Sequence, residues 1–259
     1  MVGANFNYQF IDWQHGDIGE GFDHLGTLSA TIFSPNITIG LTDWWNITFS
    51  QVIGKRYMTW DDDDNTTIHH RDEGSESDFD NAIGGYLGDS RILIRFLALN
   101  AGSGPGTRLF IGGGVGIPSK NTLSSDPFFL NGDDKEPHRH FSMSDGVYKG
   151  IFETQFYIKR MQNPVFIGGT FSVIVPLRES KYGYTGSRLV DLTLTAFSKK
   201  VKLINGSIGG NVMIRNTTEA YWNGIAAPNS KSTMVIPGVG ALWSLGFATC
   251  QLICNIPYS

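Results

Sequence analysis

Apolar and polar residues alternate with a period of two along most of this sequence of 259 residues. In residues 45–50, which read WNITFS, each odd-numbered residue is apolar and each even-numbered residue is polar. Successive side chains of a β-strand point to opposite faces, so the alternation predicts strands with one apolar and one polar face. The 3.6-residue period of an amphipathic helix is almost absent, and the predicted fold class is therefore all-β.

The alternating segments are long, and many of them have ten residues or more. Strands of soluble proteins usually have about five or six residues, whereas a tilted strand needs about nine to eleven residues to cross a bilayer. The segment lengths therefore favour strands that span a membrane. We predict eleven strands, at residues 3–12, 26–42, 45–58, 83–100, 107–118, 143–160, 165–177, 187–199, 202–216, 232–243 and 246–258.

Connections between these strands alternate between long and short. Short turns on one side and long loops on the other are typical of an outer-membrane β-barrel, whose turns face the periplasm and whose long loops are extracellular. A soluble β-sandwich or jelly roll, the alternative, has no reason to sort its connections in this way. The long connections are 13–25, 59–82, 119–142, 178–186 and 217–231, and the short ones lie at Asp43, 101–106, 161–164, Lys200 and Ser244.

The whole chain, residues 1–259, is predicted to form a single antiparallel transmembrane β-barrel. Single-chain bacterial barrels have an even number of strands, because an open strand edge in lipid would leave backbone groups unpaired. We therefore expect about twelve strands in the intact protein, with one strand hidden within the chain or lying beyond Ser259. No basic and apolar leader precedes the first strand, so we expect a mature exported form that carries an added Met1.

Composition and charge indicate neither nucleic-acid binding nor a metal site. Charged residues make up 17% of the chain, the net charge is −4, and no cluster of Lys and Arg forms a phosphate-binding stripe. We therefore expect no nucleic-acid partner. The two cysteines, Cys250 and Cys254, lie about 13 Å apart on one face of a strand, which is too far for a disulfide. No other ligands lie near them, and no cofactor is expected.

Charged residues within the predicted strands lie on the polar face, where they would line the lumen of a barrel. A lysine or arginine that faces lipid near the midplane costs about 2–4 kcal/mol, which disfavours the opposite orientation. Charges of both signs could pair across the lumen and seal it, or the excess of cations could favour anions at a constriction around Arg91, Arg95 and Arg108. The lumen candidates are Arg91, Arg95, Arg108, Lys149, Glu153, Lys159, Asp191 and Arg215.

Glycines and tryptophans have expected places in such a barrel. Gly112, Gly114 and Gly116 share the polar face of one strand, where they would allow close packing or sheet curvature; no helix follows them to form a phosphate loop. Tryptophans near strand ends are expected to form the two aromatic girdles at the lipid interface. The predicted lower girdle contains Trp44, Trp45 and Trp243, and the upper girdle contains Trp13 and Trp60.

Two hydrophilic segments, 61–80 and 131–140, fall in long connections and are expected to be solvated loops. His138 and His140 are accordingly expected to be loop residues that no rigid element holds. Carboxylate oxygens suit hard divalent cations, but a solvated acidic run is the favoured interpretation. The candidates for a cation site are Asp61, Asp62, Asp63 and Asp64.

Two stretches resemble a known family of bacterial outer-membrane barrels. Residues 39–50, IGLTDWWNITFS, are similar to the family's G-(L/V)-T-D turn. Residues 88–119, GDSRILIRFLALNAGSGPGTRLFIGGGVGIPS, are similar to its hairpin, which runs from GD-x-R through a Gly-rich turn to G-x-x-x-P. The family is grouped as transporters of phenol meta-degradation pathways and is FadL-like in a loose sense. The resemblance covers about residues 25–119 and implies the fold more than the substrate.

Three functions remain open at this point. The first is a porin-like channel or transporter for a small solute by passive diffusion, and the resemblance implies a hydrophobic or aromatic solute. Its expected location is the outer membrane of a Gram-negative bacterium, in contact with the lipid bilayer and lipopolysaccharide. The second is a structural or accessory barrel that anchors partners of a larger cell-surface complex and conducts nothing. The third is a rim hydrolase acting on lipid, but no G-x-S-x-G motif occurs, and we expect no enzyme.

Overall fold

Eleven antiparallel strands form one curled sheet in the computed structural model of the chain. The structure describes residues 1–15, 24–60, 74–128, 138–244 and 249–255, apart from the side chains of residues 13–15, 24 and 255. The strands of this sheet are β1 Val2–His15, β2 His24–Gly40, β3 Trp45–Trp60, β4 Leu87–Asn100, β5 Gly106–Ile117, β6 Lys149–Lys159, β7 Phe166–Pro176, β9 Leu189–Phe197, β10 Ser207–Thr217, β13 Ser232–Ser244 and β14 Thr249–Asn255. Three short strands, β8 Tyr184–Thr185, β11 Tyr221–Trp222 and β12 Ile225–Ala226, form a second sheet.

Each strand of the large sheet pairs with the next strand of that sheet along the chain, from β1 at one edge to β14 at the other. The all-β, antiparallel prediction is thereby confirmed, and the described part of the chain places eleven strands in this sheet. Short connections join β2 to β3 and β4 to β5 at one end, whereas the long ones lie at the other end. Among the described residues, no helix is long and apolar enough to cross a membrane.

Three strands begin later than the alternation predicted. The residues that precede them form hydrogen bonds or turns outside the sheet. Met143 N donates a hydrogen bond to Asn121 Oδ1 at 2.9 Å, and Ser144 N donates to Asn121 O at 2.9 Å. Residues 201–206 form a turn, closed by a bridge between its first and last residues, in which Asn205 has a φ of 52°. The predictions that begin too early are 83–100, 143–160 and 202–216.

The two faces of the large sheet differ in polarity and in exposure. In β3, Phe49 is 46% exposed, whereas its neighbour Thr48 is 8% exposed. We call the face of Thr48 the inner face and the face of Phe49 the outer face. In a water-soluble protein, apolar side chains are usually more buried than polar ones. This sheet shows the opposite distribution. Large exposed apolar residues of the outer face include Phe6, Phe10, Ile37, Ile94, Ile111, Phe152, Phe171, Leu194, Ile214, Val235 and Leu252.

Alternate glycines of β5 make room on the inner face for large side chains of β4 and β6. A Cβ added at Gly114 would meet the backbone oxygen of Ile92 and would lie 2.8 Å from Leu93 Cδ2. Leu93 packs with Ile151 and Ile174 in the buried apolar layer of the inner face. The predicted close packing around these glycines is therefore confirmed. The three rows of paired residues are Arg95–Gly112–Glu153, Leu93–Gly114–Ile151 and Arg91–Gly116–Lys149.

The long connections pack together at their end of the sheet into a unit that we call the cap, formed by residues 118–128, 138–148, 177–188 and 218–231. The cap contains the second sheet and a small core of its own. Trp222 is 4% exposed in that core and lies against Tyr184, with ring centroids 4.9 Å apart. An ordered cap was not predicted from the sequence, which indicated only polar loops.

Residues 138–140 lie within the cap and correct the expectation that this segment is a solvated loop. His138 is 5% exposed and Arg139 is 1% exposed. Asn81 Nδ2 donates to Arg139 O at 2.9 Å, and Arg139 N donates to Asn81 Oδ1 at 2.9 Å. These reciprocal bonds hold the segment against residues 74–84, so the polar side chains satisfy backbone groups instead of meeting water.

Replacing Gly114 by Ala is expected to lower the free energy of unfolding by about 1–3 kcal/mol, the usual range for overpacking. The new methyl group would collide with the backbone of β4, which cannot give way without breaking sheet hydrogen bonds. Gly113 is the matched control, because a Cβ there would lie 3.4 Å from Ile151 O, in ordinary contact. Equal denaturant midpoints for the two variants in detergent micelles would contradict this role for Gly114.

Candidate functional site

Four of the eight predicted lumen charges lie in one row that crosses the inner face. The backbone register pairs Arg95 through Gly112 with Glu153, and then continues through Ser172 of β7 to β9 and β10. There the row reaches Asp191 and Arg215. The sheet register therefore brings together charges that are far apart in the sequence.

A hydrogen-bonded chain runs along the inner face around Arg95. Its Nε lies 2.6 Å from Glu153 Oε1, and its Nη1 donates to Thr48 Oγ1 at 2.7 Å. Glu153 Oε1 also accepts from Gln155 Nε2 at 2.8 Å, and Tyr157 OH donates to Gln155 Oε1 at 2.9 Å. The side chains of Arg95 and Glu153 are each 13% exposed, so the pair is mostly shielded from water. Such charge-assisted bonds fix both side chains in place.

Three further ion pairs involve the predicted lumen residues Arg215, Asp191 and Lys149. Arg215 binds Asp191 through two bonds, Nε to Oδ1 at 2.7 Å and Nη2 to Oδ2 at 3.0 Å. Lys149 Nζ lies 3.1 Å from Asp89 Oδ2 and 2.9 Å from Asp145 Oδ2 at the cap end of the sheet. Neither of these aspartates was predicted as a site residue: Asp89 was interpreted only as part of the GD-x-R hairpin motif, and Asp145 lay in a predicted strand.

Three of the predicted cations form no ion pair with the described residues. Arg91 is exposed and lines a groove of about 480 Å³ on the inner face, together with Thr48, Arg95 and Tyr157. Arg108 Nη2 donates to the backbone oxygen of Gly104 at 3.4 Å. Lys159 is exposed at the turn end of β6. Most of the predicted lumen charges form ion pairs, as expected for a sealed lumen. Arg91 keeps an unpaired guanidinium in the groove, as expected for a constriction that favours anions.

The predicted girdle residues fall into three groups. Trp44 and Trp45 are 50% and 45% exposed beside the turn between β2 and β3, and Trp243 Nε1 donates to Ile204 O at 3.0 Å near another turn. Trp60 is 5% exposed on the inner face, where its ring centroid lies 5.7 Å from that of His140. The expectation that Trp60 faces lipid is therefore wrong, because the cap covers it. The side chain of Trp13 lies outside the described residues.

The described residues include no group of three or more His, Cys, Asp and Glu side chains that could hold a metal ion. Both cysteines are exposed and free, as their spacing predicted. The candidate cation ligands Asp61, Asp62, Asp63 and Asp64 lie outside the described residues.

Comparison with known proteins gives no match to any protein-family model and no match to any curated protein.

Breaking the Arg95–Glu153 pair is expected to destabilise the sheet. Replacing Glu153 by Met leaves the Arg95 guanidinium with only Thr48, which should lower the free energy of unfolding by about 1–3 kcal/mol. Replacing both residues by Met also removes the unpaired charge of Arg95. The double variant should therefore recover part of the lost free energy of unfolding. Unfolding measured for all four proteins of this cycle gives the coupling. Strictly additive effects of the two changes would contradict a direct pair.

Tyr184 gives the cap a dependence on alkaline pH. Burial, together with the nearby Asp145 carboxylate, raises the pKa of Tyr184 from 10.0 to about 12. The folded state thus holds the phenol proton more tightly than the unfolded state. This contribution to stability is complete below the unfolded pKa and is lost as the pH rises through about 12.

The variant Tyr184→Phe should lack this dependence. The stability difference between wild type and variant, measured by chemical unfolding, is expected to be constant below about pH 10 and to shift against the wild type above it. Curves that stay parallel throughout this range would contradict the assigned pKa.

Proposed function

We propose that the chain is a bacterial outer-membrane β-barrel that lets a small solute cross by passive diffusion. The observation that carries the proposal is the reversed polarity of the large sheet. Large apolar side chains are exposed on its outer face, and the polar and charged ones lie on its inner face. A lipid bilayer provides the apolar surroundings that such an outer face requires.

The lengths of the strands and the way in which they are connected also support a position in a bilayer. β3 has 16 residues and β4 has 14, more than a tilted strand needs to cross a bilayer. The ordered cap and the short turns lie at opposite ends of the strands, which corresponds to extracellular loops and periplasmic turns. The outer leaflet would bring lipopolysaccharide against the cap end. A strand that pairs with both β1 and β14 would close the barrel, for which we propose about twelve strands.

The inner groove supports an electrostatic preference for the solute. Arg91 projects into it with no ion pair to a described residue, while Arg95 is neutralised by Glu153. An unpaired guanidinium in a groove attracts anions more strongly than one on an open surface, because the protein walls focus its field. We therefore propose that Arg91 gives the lumen a preference for anions over cations.

A second function, a non-conducting accessory barrel, is favoured by the cap and the paired charges. The cap has its own core over the end of the sheet, and three ion pairs bridge side chains of the inner face. Such a barrel would present the cap as a rigid surface for partner proteins in an outer-membrane complex. Conductance separates the two functions.

Purified full-length protein in a planar lipid bilayer is expected to produce discrete conductance steps. Replacing Arg91 by Glu should shift the reversal potential in a potassium chloride gradient toward cation selectivity, because it reverses the free charge in the groove. Lys202→Glu is the matched control, since Lys202 is exposed in the short turn 198–206 and lies outside the groove.

Two outcomes would count against the channel. A bilayer that stays silent at every voltage, with folded protein inserted, would support the accessory barrel instead. Equal shifts for Arg91→Glu and Lys202→Glu would contradict a selective role for Arg91.

Charge placed on the outer face should prevent stable insertion. Phe171 is 38% exposed at the middle of β7, and Phe171→Arg is expected to cost about 2–4 kcal/mol of unfolding free energy in lipid vesicles. Thr170→Arg, one residue away on the inner face, should cost less because its guanidinium can reach water and the polar groups of the groove. A larger loss for Thr170→Arg would contradict a lipid-facing outer face.

A further inference from the structure

A cavity of about 330 Å³ lies between the cap and the inner face of the large sheet. We call it the vestibule cavity. Arg56 of β3, Asp89 of β4 and Lys149 of β6 line it from the sheet, and Tyr184 and Trp222 line it from the cap. Its volume falls within the roughly 300–1,000 Å³ that small-molecule sites occupy. The cavity is separate from the inner groove at Arg91, with which it shares no lining residue.

Aromatic and apolar side chains form about half of the wall of the vestibule cavity. Trp222 and Tyr184 form one side with their rings in contact, and Phe128, Phe141 and Leu123 contribute others. Trp222 is held rigidly, because it is 4% exposed in the core of the cap. A wall of this kind binds the flat apolar body of a ligand through burial and ring contacts.

Arg56 supplies a cation whose hydrogen bonds are incompletely satisfied. Its Nη1 donates to Ser142 O at 3.3 Å, a long bond, and its Nε is buried without a hydrogen-bond partner. Arg56 forms no ion pair with the described residues. Because Arg56 is half-buried and one of its N–H groups is unsatisfied, an anion that binds it gains more than at a fully exposed arginine.

The other charges of the vestibule cavity already compensate one another. Lys149 lies between Asp89 and Asp145, at 3.1 and 2.9 Å from their carboxylate oxygens. The cavity therefore contains two cations, Arg56 and Lys149, and two carboxylates. Both carboxylates bind Lys149 and neither binds Arg56. Arg56 is therefore the group that remains available to a carboxylate, and the Tyr184 phenol, which stays protonated at neutral pH, lies in the same cavity as a second donor.

We propose that the vestibule cavity binds a small aromatic monocarboxylate, with its ring against Trp222 and Tyr184 and its carboxylate on Arg56. A planar carboxylate can accept two parallel N–H bonds from a guanidinium, which a neutral alcohol cannot. The site deepens the proposed function and rests on it, because it names the class of solute that the barrel takes up at its cap end. Binding itself needs no membrane.

Calorimetric titration of the full-length protein in detergent micelles tests this site with benzoate as the probe. Benzoate is expected to bind, whereas benzyl alcohol, which keeps the ring, and acetate, which keeps the carboxylate, should each bind at least tenfold more weakly. Benzyl alcohol binding as tightly as benzoate would overturn the role of the carboxylate. Acetate binding as tightly as benzoate would overturn the role of the aromatic wall.

Arg56→Gln should lower the affinity for benzoate at least tenfold and leave the affinity for benzyl alcohol unchanged. Arg178→Gln is the matched control, since this arginine lies over the ring of Tyr148 and does not line the vestibule cavity. Benzoate affinity that is unchanged by Arg56→Gln, or lowered equally by Arg178→Gln, would overturn the proposal.

A second variant keeps the test decisive if Arg56→Gln does not fold. Ala227 lines the cavity and is 8% exposed, so Ala227→Leu should fill part of the cavity and weaken benzoate while Arg56 stays in place. Unchanged benzoate affinity in a folded Ala227→Leu protein would overturn the proposal. Wild-type protein that conducts but does not bind benzoate would refute the site alone, and wild-type protein that binds benzoate but does not conduct would refute the channel alone.

Discussion

Period-two alternation separates the two faces of the sheet, and every other feature of the molecule follows that separation. Phe49 and Ile94 are exposed on the outer face, whereas their neighbours Thr48 and Leu93 are buried on the inner face. Monomeric proteins in water rarely expose apolar patches larger than a few hundred Å². An outer face that continues over eleven strands is therefore stable only where its surroundings are also apolar. The proposed bilayer would meet this requirement and leave charge and water to the inner face.

The inner face is built around the small residues of β5. Because Gly112 has no side chain, Arg95 and Glu153 approach each other across it, and the same row continues to Asp191 and Arg215. The result is a polar interior in which ion pairs fix the wall. The proposed functions rest on the cations that have no carboxylate partner among the described residues, Arg91 in the groove and Arg56 beneath the cap.

The sequence predicted the strands of the large sheet because alternation is a local property that each segment carries by itself. It did not predict which charges pair, since the contact of Arg95 with Glu153 depends on the register of three strands. The burial of Trp60 and Arg139 was also missed. The cap covers Trp60 and contains Arg139. Its polar composition indicated solvated loops, whereas its order comes from contacts such as the reciprocal bonds between Asn81 and Arg139. Local patterns thus predict the sheet, and packing between distant segments determines the site.

Site-directed spin labelling of β7 in lipid vesicles tests the lipid-facing outer face most directly. Labels at the outer positions Phe171 and Val173 should collide with oxygen, which concentrates in the bilayer, and should be shielded from a water-soluble nickel complex. Labels at the inner positions Thr170 and Ser172 should show the reverse preference. Outer positions that are as accessible to the nickel complex as the inner ones would contradict the membrane barrel.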